Sequence, residues 1–148
     1  MRTAIPRQFG FSTCFVCGPD NLRGLRLVFE RDGDSVVTTF TPPLEYGGYG
    51  TILHGGLTST LLDEAMAWAV YGLLNRLSLT TALRIRFLGP VRCGDALTVV
   101  GSIASATDQG AETLAEVRDS SGVVRADGRG TMRFVSERAA ARMARAAP

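Results

Sequence analysis

Apolar residues recur along the chain with two different periods. Leu25-Arg-Leu-Val-Phe29 and Val36-Val-Thr-Thr-Phe40 are short runs rich in β-branched and aromatic residues, and Asp32-Gly33-Asp34 between them has the composition of a hairpin turn. Pro42-Pro43 ends the second run, and Tyr46-Gly-Gly-Tyr-Gly50 forms a glycine-rich loop. From Gly55 to about Leu74 the period changes. Leu57, Leu61, Leu62, Ala65, Met66, Ala67, Trp68, Ala69, Val70 and Leu73 cover nearly the whole circumference of a helix, and a helix apolar all round is one surrounded by other structure. Strand patterns return at 80–88, 96–104, 113–119 and 123–134, separated by Gly89-Pro90, Gly94-Asp95, Asp108-Gln-Gly110 and Ser121-Gly122. In the first of these, Thr81, Leu83, Ile85 and Phe87 alternate with Thr80, Ala82, Arg84 and Arg86, as in an antiparallel strand with one face on the core. Residues 1–24 lack periodicity and carry Pro6, Gly10, Gly18, Pro19 and Gly24, which reads as an extended arm with turns. The Ala/Arg-rich tail 136–148 reads as a short surface helix. The expected fold class is α+β: one long buried helix wrapped by a curved antiparallel sheet of about six strands.

Composition narrows the picture mainly by exclusion. At 148 residues the chain fits a single domain, 1–148, able to bury a substantial core. A net charge of +2 gives no basic field for nucleic acid, and no apolar run approaches the roughly 20 residues that span a bilayer. The opening Met1–Gly10 contains no apolar stretch of the secretory type, and three cysteines fit a reducing cytoplasm better than a disulfide framework. Cys14 and Cys17 raise the question of zinc. A structural site needs four ligands, and the other cysteine and histidine available are Cys93 and His54, so a turn in the arm is preferred and no metal is expected.

The chemistry concentrates at the helix. Asp63 and Glu64 are the only charged residues between Gly55 and Asn75, and a carboxylate inside a buried helix needs a partner or an interface to offset its desolvation. His54, the one histidine, stands where the helix begins and is followed by Gly55-Gly56, each of which lowers helix propensity by about 1 kcal/mol. Two glycines in a first turn either uncover backbone N–H groups at the positive end of the helix dipole, suited to a carbonyl oxygen gaining charge, or only permit close packing. Gly55 and Asp63 are eight residues apart, about 12 Å along one helix, whereas reacting groups must come within roughly 3–3.5 Å. One helix therefore cannot bring both to one carbonyl, but two antiparallel helices across a two-fold axis can. The spacing predicts a site shared between two subunits.

These residues match a known pattern. Ile52-Leu53-His54-Gly55-Gly56, with Asp63 nine residues after the histidine, resembles the hotdog-fold acyl-CoA thioesterases of the phenylacetate-pathway type. Cys14-Phe-Val-Cys17-Gly18-Pro-Asp-Asn21-Leu-Arg-Gly24-Leu-Arg-Leu27, Tyr46-Gly-Gly48-Tyr and Phe87-Leu-Gly-Pro90-Val-Arg-Cys-Gly94-Asp95 are similar to segments of that family, including its branch of thioesterase superfamily member 4-like proteins. The resemblance covers residues 14–134. It implies that Asp63 is the catalytic carboxylate, as nucleophile or as general base for water. Gly55 would offer its N–H to the thioester oxygen, with His54 shaping the turn and Gly56 beside the substrate. Thr80 would stand where relatives position water with a serine or threonine, and Thr81 replaces it if the register slips by one. Arg84 and Arg86 would meet coenzyme A phosphates. Some relatives carry asparagine or glutamine six residues before the histidine, where this chain has Gly48. The implied partner is an acyl-CoA substrate, with no cofactor, and the implied assembly is a homodimer or a dimer of dimers. Two other readings use the same fold: a hydratase or dehydratase of acyl-chain double bonds, which relies on a histidine–acid pair from facing chains, and a non-catalytic acyl-CoA-binding module, against which Asp63 argues. Trp68, Met66 and Tyr71 fit an apolar or aromatic acyl pocket and fit core packing equally well.

Overall fold

The computed structural model describes residues 1–7 and 11–146. Gly10, read above among the arm's turns, and the tail residues 147–148 lie outside the described residues. The described elements run β1 (Arg2–Ala4), β2 (Glu30–Asp32), β3 (Ser35–Phe40), α1 (Gly55–Leu74), β4 (Ser78–Phe87), β5 (Leu97–Ala106), β6 (Gly110–Arg118), β7 (Val124–Phe134) and α2 (Glu137–Arg145). The strands form one antiparallel sheet in the order β1-β2-β3-β5-β6-β7-β4.

The periodicities locate the helix and the last four strands closely. The sheet has seven strands where about six are expected, because part of the arm joins it: Arg2–Ala4 pairs with β2. The run Leu25–Phe29 is not a strand of the ladder. Arg26 adopts a left-handed φ of 52°, which breaks the extended geometry. The backbone bonds of this segment go instead to the arm, with Leu25 N–H donating to Phe15 C=O and Leu27 N–H to Val16 C=O, both at 2.9 Å. Its apolar residues still do what the pattern implies, since Leu27 and Phe29 are buried.

Helix α1 lies across the inner face of the sheet. Thr58, Leu61, Leu62, Ala65, Met66, Ala69 and Val70 are buried against Val36, Leu97, Val99, Ala115, Val117 and Met132. The approach is close enough to demand glycine at Gly101 of β5, where a Cβ would lie 2.2 Å from the Ala65 carbonyl oxygen. The arm and the segment after it cover a second side of the helix, with Arg7 over the Trp68 ring and Phe29 stacked on it at 5.3 Å between ring centroids. The sheet does not close round the remaining side. Ser59, Thr60, Asp63 and Ala67 stay only partly buried there. Asn75 ends α1 in the left-handed conformation, at φ 54°. No helix is long and apolar enough to cross a membrane.

Strand β4 is the long free edge of the sheet. It pairs with β7 on one side only, and Leu79 and Phe87 are 54% and 58% exposed. A ten-residue edge strand with apolar side chains uncovered is the kind of surface that natural proteins pair or shield.

Candidate active site

The start of α1 is held by the loop before it. Leu53 N–H donates to Val91 C=O at 2.8 Å and His54 N–H to Tyr46 C=O at 2.9 Å. His54 is the N-cap, and its Nδ1 accepts the Gly56 N–H at 3.0 Å while its carbonyl accepts the N–H groups of Leu57 and Thr58. Gly48 lies against the same histidine. A Cβ at Gly56 would stand 3.1 Å from His54 Nδ1, so any larger residue there would push the capping ring by a few tenths of an ångström. The donor expected of Gly56 for substrate is thus taken by the histidine. Gly55 differs: its N–H has no partner among the described residues, and it opens the positive end of a 20-residue helix. Phe87, at the end of β4, is the side chain that would meet a Cβ at Gly55, at 3.6 Å.

Two turns along α1, the adjacent carboxylates part company. Asp63 Oδ1 accepts a hydrogen bond from Thr80 Oγ1 at 2.7 Å. This pairing depends on a β-bulge. Between Thr80 and Ala82 the register of β4 on β7 shifts, so that Thr80 faces buried Met132 while Ala82 faces Thr131. Strict alternation would put Thr80 with Arg84 and Arg86 on the outer face. The extra residue turns it inward, and Thr81 donates its hydroxyl to Thr131 C=O instead. Glu64 points towards the arm. Its Oε1 accepts the Trp68 indole N–H at 3.0 Å and lies 4.0 Å from Cys14 Sγ. Burial pushes the Glu64 carboxyl up to about 7, against the opposing effect of the Cys17 thiol. The Cys14 thiol is drawn down to about 5 by the Cys17 side chain and by the backbone N–H groups of Cys17, Val16 and Gly18, while Cys17 itself is raised by Cys14 and by burial. The sequence reading missed this cluster, although Glu64 and Trp68 at helical i, i+4 spacing signal a shared face.

The structure brings Asp63 and Thr80 together, and His54 with Gly55 and Gly56. It does not bring Arg84 and Arg86 to them. Both arginines lie on the outer face of the sheet, along an open groove that also contains Arg118, Asp127 and Arg129. Arg86 is engaged there by Asp127 in a two-point contact at 2.8 and 2.5 Å.

The model of the thioesterase superfamily matches residues 50–126, which holds the helix, His54-Gly55-Gly56, Asp63 and Thr80. The chain belongs to the thioesterase superfamily. A crystal structure of a thioesterase superfamily protein superposes with a TM-score of 0.76 and 25% identity, covering 90% of this chain and 68% of that one. The Escherichia coli PaaI protein of the phenylacetic acid degradation operon gives a TM-score of 0.70 at 24% identity over 76% of this chain and 81% of its own. A thioesterase protein of Streptococcus pneumoniae, solved with coenzyme A, gives 0.68 at 22% over 73% and 84%. These likenesses establish the hotdog fold that the motifs imply. In sequence, an uncharacterized Schizosaccharomyces pombe protein is 32% identical over 72 residues, and this thioesterase-superfamily chain spans 41% of that relative's length.

The Asp63–Thr80 contact carries a prediction. Thr80→Val keeps the shape but removes the hydroxyl, and a hydrogen bond to a charged acceptor contributes about 1.5–3 kcal/mol. Turnover is expected to fall about ten-fold or more, with Thr80→Ser restoring it. Steady-state kinetics of the two variants check this, and a loss that serine fails to rescue assigns Thr80 to packing alone.

Proposed function

We propose that this thioesterase-superfamily protein hydrolyses acyl-coenzyme A thioesters at a site shared by two copies of the chain. The carrying observation is the Asp63 carboxylate, partly exposed on the uncovered side of α1 and oriented by Thr80 at 2.7 Å. Asp63 attacks the thioester carbonyl directly, giving an acyl–aspartyl anhydride that water then cleaves to the free acid, or it takes a proton from a water that attacks in its place. The oxygen gains negative charge, which the Gly55 N–H and the helix dipole stabilise, and coenzyme A departs as the thiolate. His54 acts through the turn it caps.

Geometry supports the sharing. Phe87 marks the Gly55 end of β4, and Thr80 marks the Asp63 end. If two β4 edges pair antiparallel about the Leu83–Arg84 step, one residue past the middle of the strand, Phe87 of one copy falls opposite Thr80 of the other. The helix start of one copy then faces Asp63 of the second, which the span of about 12 Å within a single helix forbids. The same pairing covers Leu79, Leu83 and Phe87.

A hydrolysis screen across short, long and aromatic acyl-CoAs, reading free thiol, tests the activity. Release of thiol above the uncatalysed rate is expected for at least one class. Binding of acyl-CoA without any release turns the assignment to a non-catalytic module. The coenzyme A contact has its own test. Arg84 has no ion-pair partner among the described residues, whereas Arg86 is held by Asp127. Arg84→Ala is expected to raise KM several-fold with kcat nearly unchanged, because a remote phosphate contact is alike in ground and transition states. An unchanged KM returns Arg84 to a solvated sheet face.

A further inference from the structure

The arm turn Cys14-Phe-Val-Cys17 packs against α1 on the side away from Thr80, and it brings three metal-ligating groups to one place. Cys14 Sγ, Cys17 Sγ and a Glu64 carboxylate oxygen all lie within 4.8 Å of one another. A tetrahedral ion with bonds of about 2.0–2.3 Å needs its ligand atoms roughly 3.5–3.8 Å apart, so small side-chain rotations bring this set onto one ion. We propose that Cys14, Cys17 and Glu64 form a zinc-type divalent metal site that ties the N-terminal arm to α1, with its fourth position taken by solvent from the adjoining cavity.

Four further observations fit that assignment. The turn is already shaped: Gly18 N–H donates to Cys14 C=O at 2.9 Å, and a Cβ at Gly18 would lie 2.4 Å from Cys14 N and from Ser12 O, so only glycine closes it. Backbone N–H groups of Cys17, Val16 and Gly18 lie against the Cys14 sulfur, the arrangement that supports a thiolate ligand. Supporting hydrogen bonds are present too. The Trp68 indole N–H holds Glu64 Oε1 at 3.0 Å, and Arg7 approaches Cys17 Sγ at 3.8 Å. Finally, Glu64 has no cationic partner among the ion pairs of the described residues. A carboxylate placed beside two sulfurs without one is costly, and a bound cation removes that cost.

The charges close. Two thiolates and a carboxylate carry −3, the ion +2, and the Arg7 guanidinium +1. As the metal bonds form, whatever proton remains on either thiol or on Glu64 passes to buffer, so binding tightens as pH rises. Two soft sulfurs with one oxygen suit zinc or cobalt rather than magnesium or calcium. An entry path exists, since Cys14, Cys17 and Glu64 line a cavity of about 660 Å³ together with Trp68, Leu77 and Met143. The expectation of no metal arose because a fourth ligand was sought among cysteine and histidine. The third donor is a carboxylate 50 residues away in sequence, and three protein ligands with one open position are a known zinc arrangement.

The test uses the untagged full chain, stripped with chelator and kept reduced by a phosphine, titrated with cobalt(II). Thiolate-to-cobalt charge transfer in the near-ultraviolet and visible bands of a tetrahedral ion are expected, saturating at one ion per chain and displaced by zinc. Cys17→Ser should abolish the charge transfer, and Glu64→Gln should weaken binding about ten-fold or more. Cys93→Ser and Asp63→Asn should bind as the wild type does, which separates the ion from the hydrolytic carboxylate. Zinc at a hundred-fold excess over its Kd should raise the Tm of the wild type by about 5–10 °C and leave Cys17→Ser unmoved. A folded, reduced wild type with no charge-transfer band overturns the proposal, as does a band that survives Cys17→Ser or disappears with Cys93→Ser. The outcome is independent of whether the protein hydrolyses thioesters.

Discussion

Asp63→Asn is expected to leave a folded protein whose turnover is lower by about 10² or more. The substitution preserves volume, and the amide oxygen still accepts the Thr80 hydroxyl that now reaches Asp63 Oδ1 at 2.7 Å. Packing of α1 on the sheet is made by other residues of the helix, so little stability is at stake. What disappears is the negative charge, and with it both the nucleophile and the base. Circular dichroism establishes the fold and thiol-release kinetics the loss. Glu64→Gln, measured beside it, separates the neighbours, because Glu64 faces Trp68 and Cys14 rather than β4. Normal hydrolysis by folded Asp63→Asn, with Glu64→Gln inactive, means that the wrong carboxylate has been named.

The second large effect is a recovery. Gly55→Pro removes the one N–H at the helix start that has no partner among the described residues, and proline is well accommodated in a first helical turn. Homodimers of Gly55→Pro are expected to be inactive, as are those of Asp63→Asn. In a mixed dimer, one of the two sites joins an intact Gly55 from one copy to an intact Asp63 from the other, while the second site carries both defects. Subunit exchange between the two inactive proteins should therefore restore activity towards half of the wild-type value per heterodimer. Heterodimers that form and stay inactive, with both variants folded, place the two groups in one chain and overturn the shared site.

How far the site was readable varies residue by residue. Asp63 and the turn His54-Gly55-Gly56 stood out because each violates a local expectation: a charge in an apolar helix, and two glycines in a first turn. Their separation along one helix followed from helix geometry alone. The division of labour between the glycines was not readable, since it turns on where the His54 ring sits: Gly56 gives its N–H to that ring and Gly55 does not. Thr80 was reached by resemblance, while alternation put it on the wrong face. The β-bulge that corrects this is set by pairing with β7, which no property of β4 encodes.

By itself, the sequence determined the buried helix over 55–74, the last four strands and the resemblance to the thioesterases, and it singled out the carboxylate and glycine turn of the proposed site. All of these depend on residues near one another in the chain. Tertiary structure decided the rest. It drew Arg2–Ala4 into the sheet, diverted Leu25–Phe29 from the ladder, left β4 as an open edge, gave Asp63 and Glu64 different partners, and carried Cys14 and Cys17 to Glu64. Each of these joins segments distant in sequence. Local periodicity records which face of an element is apolar; what that face meets is chosen only when the whole chain competes for the same core.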